Sequence, residues 1–229
     1  MHHTRALLIS SSNVYGHGFL EQPEPFIRDF LRDQKRVHFV AFALPDQDAY
    51  TATVAERLGC MGLEVVPLRT HDDLAEAKAI FVGGGNTWRL LKILYERDLL
   101  APMREAVKRG VPYIGSSAGS NIAAPTIRTT NDMPIVEVPS MNALNIVPYQ
   151  INPHFLDPDP TSTHMGETRE ERIAQFHEEN VTPVIGLREG TALLCETGQT
   201  TLLGIRTARI FLKRQEPYEV EPGTVIELP

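Results

Sequence analysis

The run Gly115-Ser-Ser117-Ala-Gly119 sets a serine between two glycines, directly after the apolar stretch Val111-Pro-Tyr-Ile114. Gly-x-Ser-x-Gly at a strand-to-helix turn is the pattern of a nucleophile elbow, a bend tight and strained enough to hold a hydroxyl clear of the backbone. The chemistry would be acyl transfer, with Ser117 attacking a carbonyl, and Gly115 and Gly119 would remove the crowding that such a bend creates. A helix opening just after Ser117 would point unpaired N–H groups and its positive end at the developing oxyanion. The motif alone is common by chance as a plain turn rich in small residues, so the preceding strand is what gives it weight.

An attacking serine needs a base, and histidine is the usual choice because its ordinary pKa lies near neutrality. Of the eight histidines, His2 and His3 precede the first apolar run and His17 sits in a Gly-rich loop. His38 lies inside a strand pattern, His71 and His177 fall beside or within charged helical segments, and His164 is in a polar loop. His154 differs: Ile151-Asn-Pro-His-Phe155 places it at the end of an apolar stretch, with Pro153 fixing the backbone approach. It ranks first by elimination, against the plainer alternative of a core histidine. Two carboxylates compete to orient the imidazole. Asp132, in Thr129-Thr-Asn-Asp-Met-Pro134, gives the order Ser, Asp, His; it could instead shape a substrate pocket or hold Arg128. Glu189, where Val184-Ile-Gly-Leu-Arg-Glu-Gly190 ends in a tight turn, gives Ser, His, Glu and fits better the rule that chemistry gathers at strand ends. The glycine run Gly83–Gly85 reads as half of an oxyanion hole, a Gly84 or Gly85 N–H pairing with that of Ala118. A phosphate cradle is disfavoured because neither GxGxxG nor GxxxxGK[ST] is present.

Short apolar strands alternating with amphipathic segments would position these groups. Strands are expected at Ala6–Ile9, Val37–Ala43, Leu63–Pro67, Ala79–Val82 and Val111–Ile114. Helices are expected at Glu24–Arg36, Ala49–Leu58, Asp72–Ala77 and Thr87–Arg109, the last broken near Pro102. This order implies an α/β fold, doubly wound, with a mostly parallel sheet and helices on both faces. Ser117 and the glycine run both fall at carboxyl ends of strands, where such sheets bind ligands. After about residue 180 the spacing shortens, with strands expected at Val184–Leu187, Ala192–Glu196, Leu202–Gly204, Ala208–Lys213 and Glu219–Val220. These read as an antiparallel meander finishing the same domain.

At 229 residues and 42% hydrophobic content, the chain can bury a full core, and one domain spanning 1–229 is the simplest count. A net charge of −7 without a Lys/Arg run argues against nucleic acid and against anionic membranes. No apolar run is long enough to span a bilayer and no secretory leader is read, so a cytoplasmic protein is the expectation. Cys60 and Cys195 lack metal or disulfide spacing and both read as core thiols.

Tyr113-Ile-Gly-Ser-Ser-Ala-Gly119, Pro125-Thr-Ile-Arg-Thr-Thr-Asn-Asp-Met-Pro-Ile-Val136, Gln150-Ile-Asn-Pro-His-Phe155 and Gly166-Glu-Thr-Arg-Glu-Glu-Arg172 together closely resemble peptidase E, the aspartyl dipeptidase family. Val82-Gly-Gly-Gly-Asn-Thr87 and Leu99-Leu-Ala-Pro-Met103 extend the likeness, which weakens after about residue 195. Ser116 departs from it, standing where a bulky aromatic residue is expected before the nucleophile. The resemblance implies a cytoplasmic serine peptidase that needs no metal or cofactor, removes N-terminal aspartate from Asp-X dipeptides, and has a fold similar to class I glutamine amidotransferases. It also raises a homodimer. In its terms Ser117 is the nucleophile, His154 the base and Glu189 the acid, a role Asp132 has also been given. Specificity for aspartate on a chain of net −7 requires a local cation, and arginine is best suited through its two-pronged geometry. Arg169 is the first candidate, followed by Arg172 and Arg128; the alternative for the first two is ion pairing with Glu170 and Glu171 on an exposed helix start. Two other functions remain open: a hydrolase of β-linked aspartyl peptides, like cyanophycinase, and a catalytically silent binding protein that keeps the elbow.

Overall fold

A computed structural model describes residues 4–161, 163 and 165–229. The chain runs β1(Ala6–Ile9), α1(Glu24–Phe30), β2(Arg36–Val40), α2(Gln47–Gly59), β3(Glu64–Pro67), α3(His71–Glu76), β4(Ile80–Val82), α4(Thr87–Glu96), α5(Leu100–Lys108), β5(Tyr113–Ser116) and α6(Ala118–Asn121). There follow β6(Gln150–Pro153), α7(Arg169–Glu179), β7(Val184–Leu187), β8(Thr191–Glu196), β9(Gln199–Gly204), β10(Ala208–Phe211) and β11(Tyr218–Val220).

Seven strands form one sheet in the order β3-β2-β4-β5-β1-β8-β9, with β1 to β5 parallel and β8 and β9 added antiparallel. The chain steps one way along this sheet until β3 and then reverses. Right-handed crossovers therefore carry the helices to opposite faces before and after the reversal. Alternation along the strands records this. Leu7, Ile9, Phe39, Phe81 and Ile114 pack with Ile27 and Phe30 of α1 and Val54 and Leu58 of α2. Their neighbours Ala6, Leu8, Val40, Ile80, Val82 and Tyr113 pack with Leu74 of α3, Leu90 and Leu94 of α4, and Met103 of α5. The doubly wound, mostly parallel sheet expected from the sequence is the fold.

Local expectations shift in several places. The helix expected over Glu24–Arg36 ends at Phe30, and Arg36 opens β2, which stops at Val40 rather than Ala43 because its pairing with β3 and β4 sets its ends. The helix expected to break near Pro102 breaks instead at Arg97–Leu99, where Asp98 turns to φ 51°. Pro102 sits in the first turn of α5, where its missing N–H removes no helical bond. Strand β5 begins two residues later than expected, because pairing with Ala6–Ile9 of β1 sets its register at Tyr113–Ser116. The stretch after residue 180 is not one meander: β8 and β9 extend the main sheet, whereas β7, β10 and β11 join β6 in a second, four-stranded sheet. Within it β6 runs parallel to β7, a pairing across more than thirty residues that strand spacing does not reveal. One side of this second sheet packs toward the main core through Ile151, Ile185 and Ile210, and Phe155, Val184 and Phe211 pack with Ile173 of α7. Cys195 is buried as expected, but Cys60, at the end of α2, is exposed.

Candidate active site

Ser117 occupies the joint between β5 and α6 with φ 52° and ψ −108°, a strained conformation for a residue with a side chain. Close approach of backbone, rather than unusual glycine dihedrals, explains the flanking glycines. A Cβ on Gly115 would lie 2.4 Å from the Gly119 carbonyl oxygen, and one on Gly119 would lie 2.1 Å from that of Val82. Buried side chains brace the bend. Tyr113 donates from its hydroxyl to the Gly119 carbonyl at 2.6 Å, and Ser120 Oγ lies 2.7 Å from the Ile9 carbonyl oxygen and 2.8 Å from that of Gly115. Asn121 donates from Nδ2 to the Ile151 carbonyl at 2.9 Å, tying the elbow to β6.

His154 follows β6 directly and is itself left-handed, at φ 53°. Its Nε2 lies 2.9 Å from Ser117 Oγ and its Nδ1 lies 2.7 Å from Glu189 Oε1. A carboxylate can only accept, so Nδ1 carries the hydrogen and Nε2 is left to accept from the serine hydroxyl. Glu189 projects just past β7, the strand paired in parallel with β6, and this adjacency of strand ends brings the two side chains together.

Asp132 sits elsewhere. Its Oδ2 accepts from the Thr87 N–H at 2.7 Å and from the Thr87 hydroxyl at 2.6 Å, capping α4 beside the Asn86 N-cap. It neither meets the His154 Nδ1 position held by Glu189 nor binds Arg128, which is exposed. The loop keeps contact with the histidine strand through Asn131, which donates to the Pro153 carbonyl at 2.7 Å.

The glycine run lies beside the serine: a Cβ on Gly84 would be 3.1 Å from Ser117 Cβ. Its N–H is occupied, donating to the Tyr50 hydroxyl at 2.9 Å. Burial pushes that phenol up to about 12, so it remains a neutral acceptor. Among the described residues the Gly85 and Ala118 N–H groups have no acceptor. Helix α6 opens just after Ser117 but is one turn long and carries little dipole. Terminal dipoles are worth about 0.3–1 kcal/mol, against about 3 kcal/mol for a direct oxyanion donor, so individual N–H groups must dominate here.

Arg169 opens α7, half-buried, and no carboxylate among the described residues lies within ion-pair distance of it. Burial pushes its guanidinium below the ordinary value and the charge of Arg172 adds to this, while Asp132 partly offsets it. Pairing with Glu170 and Glu171 does not occur: Glu170 binds Arg209, Glu171 completes the Thr168 capping box, and Arg172 lies 3.6 Å from Glu167. His164, in the polar loop, lies outside the described residues, as do His2 and His3. The sequence reading missed Tyr50, whose place under the glycine run has no local signal, and Tyr113, whose hydroxyl is hidden in an apolar strand. Among the described residues no group of three or more His, Cys, Asp or Glu side chains could hold a metal ion, and no helix is long and apolar enough to cross a membrane.

A serine on a strained bend, bonded to an imidazole that is bonded to a carboxylate, above the strand ends of a mostly parallel α/β sheet, defines the class of serine hydrolases. The profile of peptidase family S51 matches residues 6–203, and the chain belongs to that family of serine peptidases. It is 50% identical over 222 residues to peptidase E of Streptomyces coelicolor, covering 95% of this chain and 91% of that protein. It is also 50% identical over 212 residues to a Drosophila melanogaster protein named "Probable alpha-aspartyl dipeptidase", covering 90% and 88%. The fold is similar to the crystal structure of a peptidase from an acI-B1 actinobacterium, with a TM-score of 0.69 at 16% identity over 100% of this chain and 99% of that one.

Proposed function

We propose that this serine peptidase hydrolyses dipeptides with N-terminal aspartate, with Ser117 as nucleophile, His154 as base and Glu189 as the group that orients the imidazole. The observation that carries the proposal is the continuous hydrogen-bonded line from Ser117 Oγ through His154 to Glu189, at 2.9 and 2.7 Å. As Ser117 Oγ attacks the aspartyl carbonyl, His154 Nε2 takes its proton and Glu189 holds the resulting imidazolium. The Gly85 and Ala118 N–H groups stabilise the oxyanion; Gly84, whose N–H is held by Tyr50, serves as the close-fitting wall beside the serine. His154 then protonates the leaving amine, and water attacks the acyl-enzyme by the same route.

Arg169 receives the aspartate side chain. A half-buried guanidinium beside a second arginine, with no ion pair among the described residues, is a place where an incoming carboxylate relieves two costs together. Arg172, drawn toward Glu167, and exposed Arg128 contribute to the surrounding field rather than to the grip. The names of the two relatives, peptidase E and "Probable alpha-aspartyl dipeptidase", support the α-linked substrate. A single domain over 1–229 is supported by the length and hydrophobic content, a cytoplasmic setting by the apolar patterning and the likeness to peptidase E, and a homodimer by that likeness alone.

Hydrolysis of a panel containing α-Asp-Leu, β-Asp-Leu, Asn-Leu and Ala-Leu tests it. The α-aspartyl peptide should be the preferred substrate, Ser117→Ala should lower kcat/KM by about 10⁴-fold or more, and Arg169→Ala should erase most of the preference for Asp over Asn without lowering stability comparably. Equal turnover of the β-linked peptide would move the reading to the cyanophycinase-like alternative, and absence of all hydrolysis would leave the silent binder.

A further inference from the structure

The three segments that carry the Ser-His-Glu line come from distant parts of the chain, yet all are fastened to the same two residues at the end of β1. The Ile9 carbonyl accepts from the Ser117 N–H at 3.0 Å and from the Ser120 hydroxyl at 2.7 Å. The Ser10 N–H donates to the Thr191 carbonyl at 3.0 Å, two residues past Glu189. The Ser10 hydroxyl, fully buried, donates to the Leu187 carbonyl at 2.7 Å, two residues before Glu189, and accepts from the His154 N–H at 3.0 Å.

That last contact falls where the sheet can no longer help. Strand β6 ends at Pro153, paired with Leu187, and at His154 the backbone turns left-handed. A residue with a side chain keeps such a conformation only when its surroundings over-determine it. Two bonds do so: Phe155 N–H returns to the Leu187 carbonyl at 3.1 Å, and His154 N–H goes to Ser10. With the second removed, the backbone at His154 itself would be unbonded and held only through its neighbour Phe155, and angular freedom of the base is where misplacement costs rate.

We propose that Ser10 is a positioning residue for the base, its hydroxyl locking the left-handed turn at His154 to the end of β7, the strand that leads into Glu189, so that Nε2 stays in line with Ser117. The inference rests on the assignment of His154 as base. It makes Ser10 act on the chemical step and leaves substrate binding alone.

Ser10→Ala should lower kcat for α-Asp-Leu about ten- to a hundred-fold with KM changed by less than about threefold. Ser10→Cys keeps the volume of the buried site but hydrogen-bonds weakly, and it should show the same split even if the alanine variant folds poorly. An independent readout is the low-field proton NMR resonance of His154 Nδ1–H against Glu189, assigned by its loss in His154→Ala. It should broaden or shift upfield in the Ser10 variants while circular dichroism still reports a cooperative melt. Wild-type kcat and an unmoved resonance in a folded Ser10 variant would overturn the role of Ser10. Ser117→Ala with undiminished hydrolysis would instead bring down the assignment of the nucleophile, and the resonance would still report on Ser10.

Discussion

The imidazole of His154 has two neighbours and a choice of acid that short sequence motifs leave open. Asp132 and Glu189 are both turn carboxylates, and chain order permits either. The structure separates them by what each already holds: Asp132 Oδ2 is taken by the Thr87 N–H and hydroxyl, whereas Glu189 Oε1 is 2.7 Å from His154 Nδ1. Glu189→Gln keeps the shape but offers His154 the wrong partner for its tautomer, and should lower kcat by about 10³- to 10⁴-fold with little change in KM. Asp132→Asn should leave a far larger share of kcat and act chiefly on the anchoring of the Thr87 turn. Steady-state kinetics of both variants on α-Asp-Leu decides it; equal losses in kcat would contradict the assignment. The candidates for nucleophile and base, which the structure sets 2.9 Å apart, were legible from residue types, because a Gly-x-Ser-x-Gly turn and a histidine after a proline-ended apolar run each carry a local signature. For the acid, the strand-end rule favoured Glu189 over Asp132 without deciding between them; what sets Glu189 beside His154 is the parallel pairing of β6 with β7, and parallel partners leave no turn signal between them.

The elbow shows how an element is specified by the room left for backbone. The sequence marks Gly115 and Gly119 as relief for a strained serine, and the strain is present at Ser117, but the glycines serve neighbouring carbonyls more than their own dihedrals. Gly119→Ala would force a methyl to 2.1 Å from the Val82 carbonyl oxygen, a clash with backbone that no rotamer relieves. It should therefore destabilise by about 3 kcal/mol or more, read as the urea midpoint multiplied by the m-value, with Ser117 reactivity lost in parallel. A cost below about 1 kcal/mol would mean that the elbow yields and is less tightly wedged between β4 and β5 than the geometry implies. Element order and type were readable from apolar spacing through β5, while the positions of Pro102 and β5 were not. Proline permits the first turn of a helix as readily as it breaks the middle, and strand ends are set by partners rather than by their own residues.

At the scale of the whole molecule, the two sheets differ in how they are tied together. Apolar alternation holds the main sheet between its helices. The second sheet adds a charged knot in which Arg188, almost buried, donates to Asp157, Glu219 and the Thr207 carbonyl. The Arg188 guanidinium lowers the Asp157 carboxyl and holds that of Glu219 down at about 2, so both bind protons less readily folded than unfolded. Their contribution is present above the ordinary carboxylate range and is lost as the pH falls from about 4.5 toward about 2. His38, on β2, is buried with its Nδ1 unpartnered among the described residues, and burial pushes its pKa below 6.5. The unfolded chain therefore takes up that proton first, and stability should begin to fall below about pH 6.5, before the carboxylates respond. Urea midpoints from pH 7.5 to pH 3 should show this two-stage decline; Arg188→Met should flatten the lower stage and His38→Gln the upper one. A wild-type profile flat down to pH 5 would show that His38 is not linked to folding in this way, and one still flat at pH 3 would show the same of the carboxylates.

All of these scales converge on a single proposed event, attack by the Ser117 hydroxyl with His154 as its base. Treatment of the intact protein with a fluorophosphonate, followed by peptide mass mapping, tests that event directly. The account predicts one adduct, on Ser117, forming in step with loss of α-Asp-Leu hydrolysis and suppressed in His154→Ala. An active enzyme that stays unlabelled at Ser117, or one inactivated by an adduct on a different serine, would contradict it.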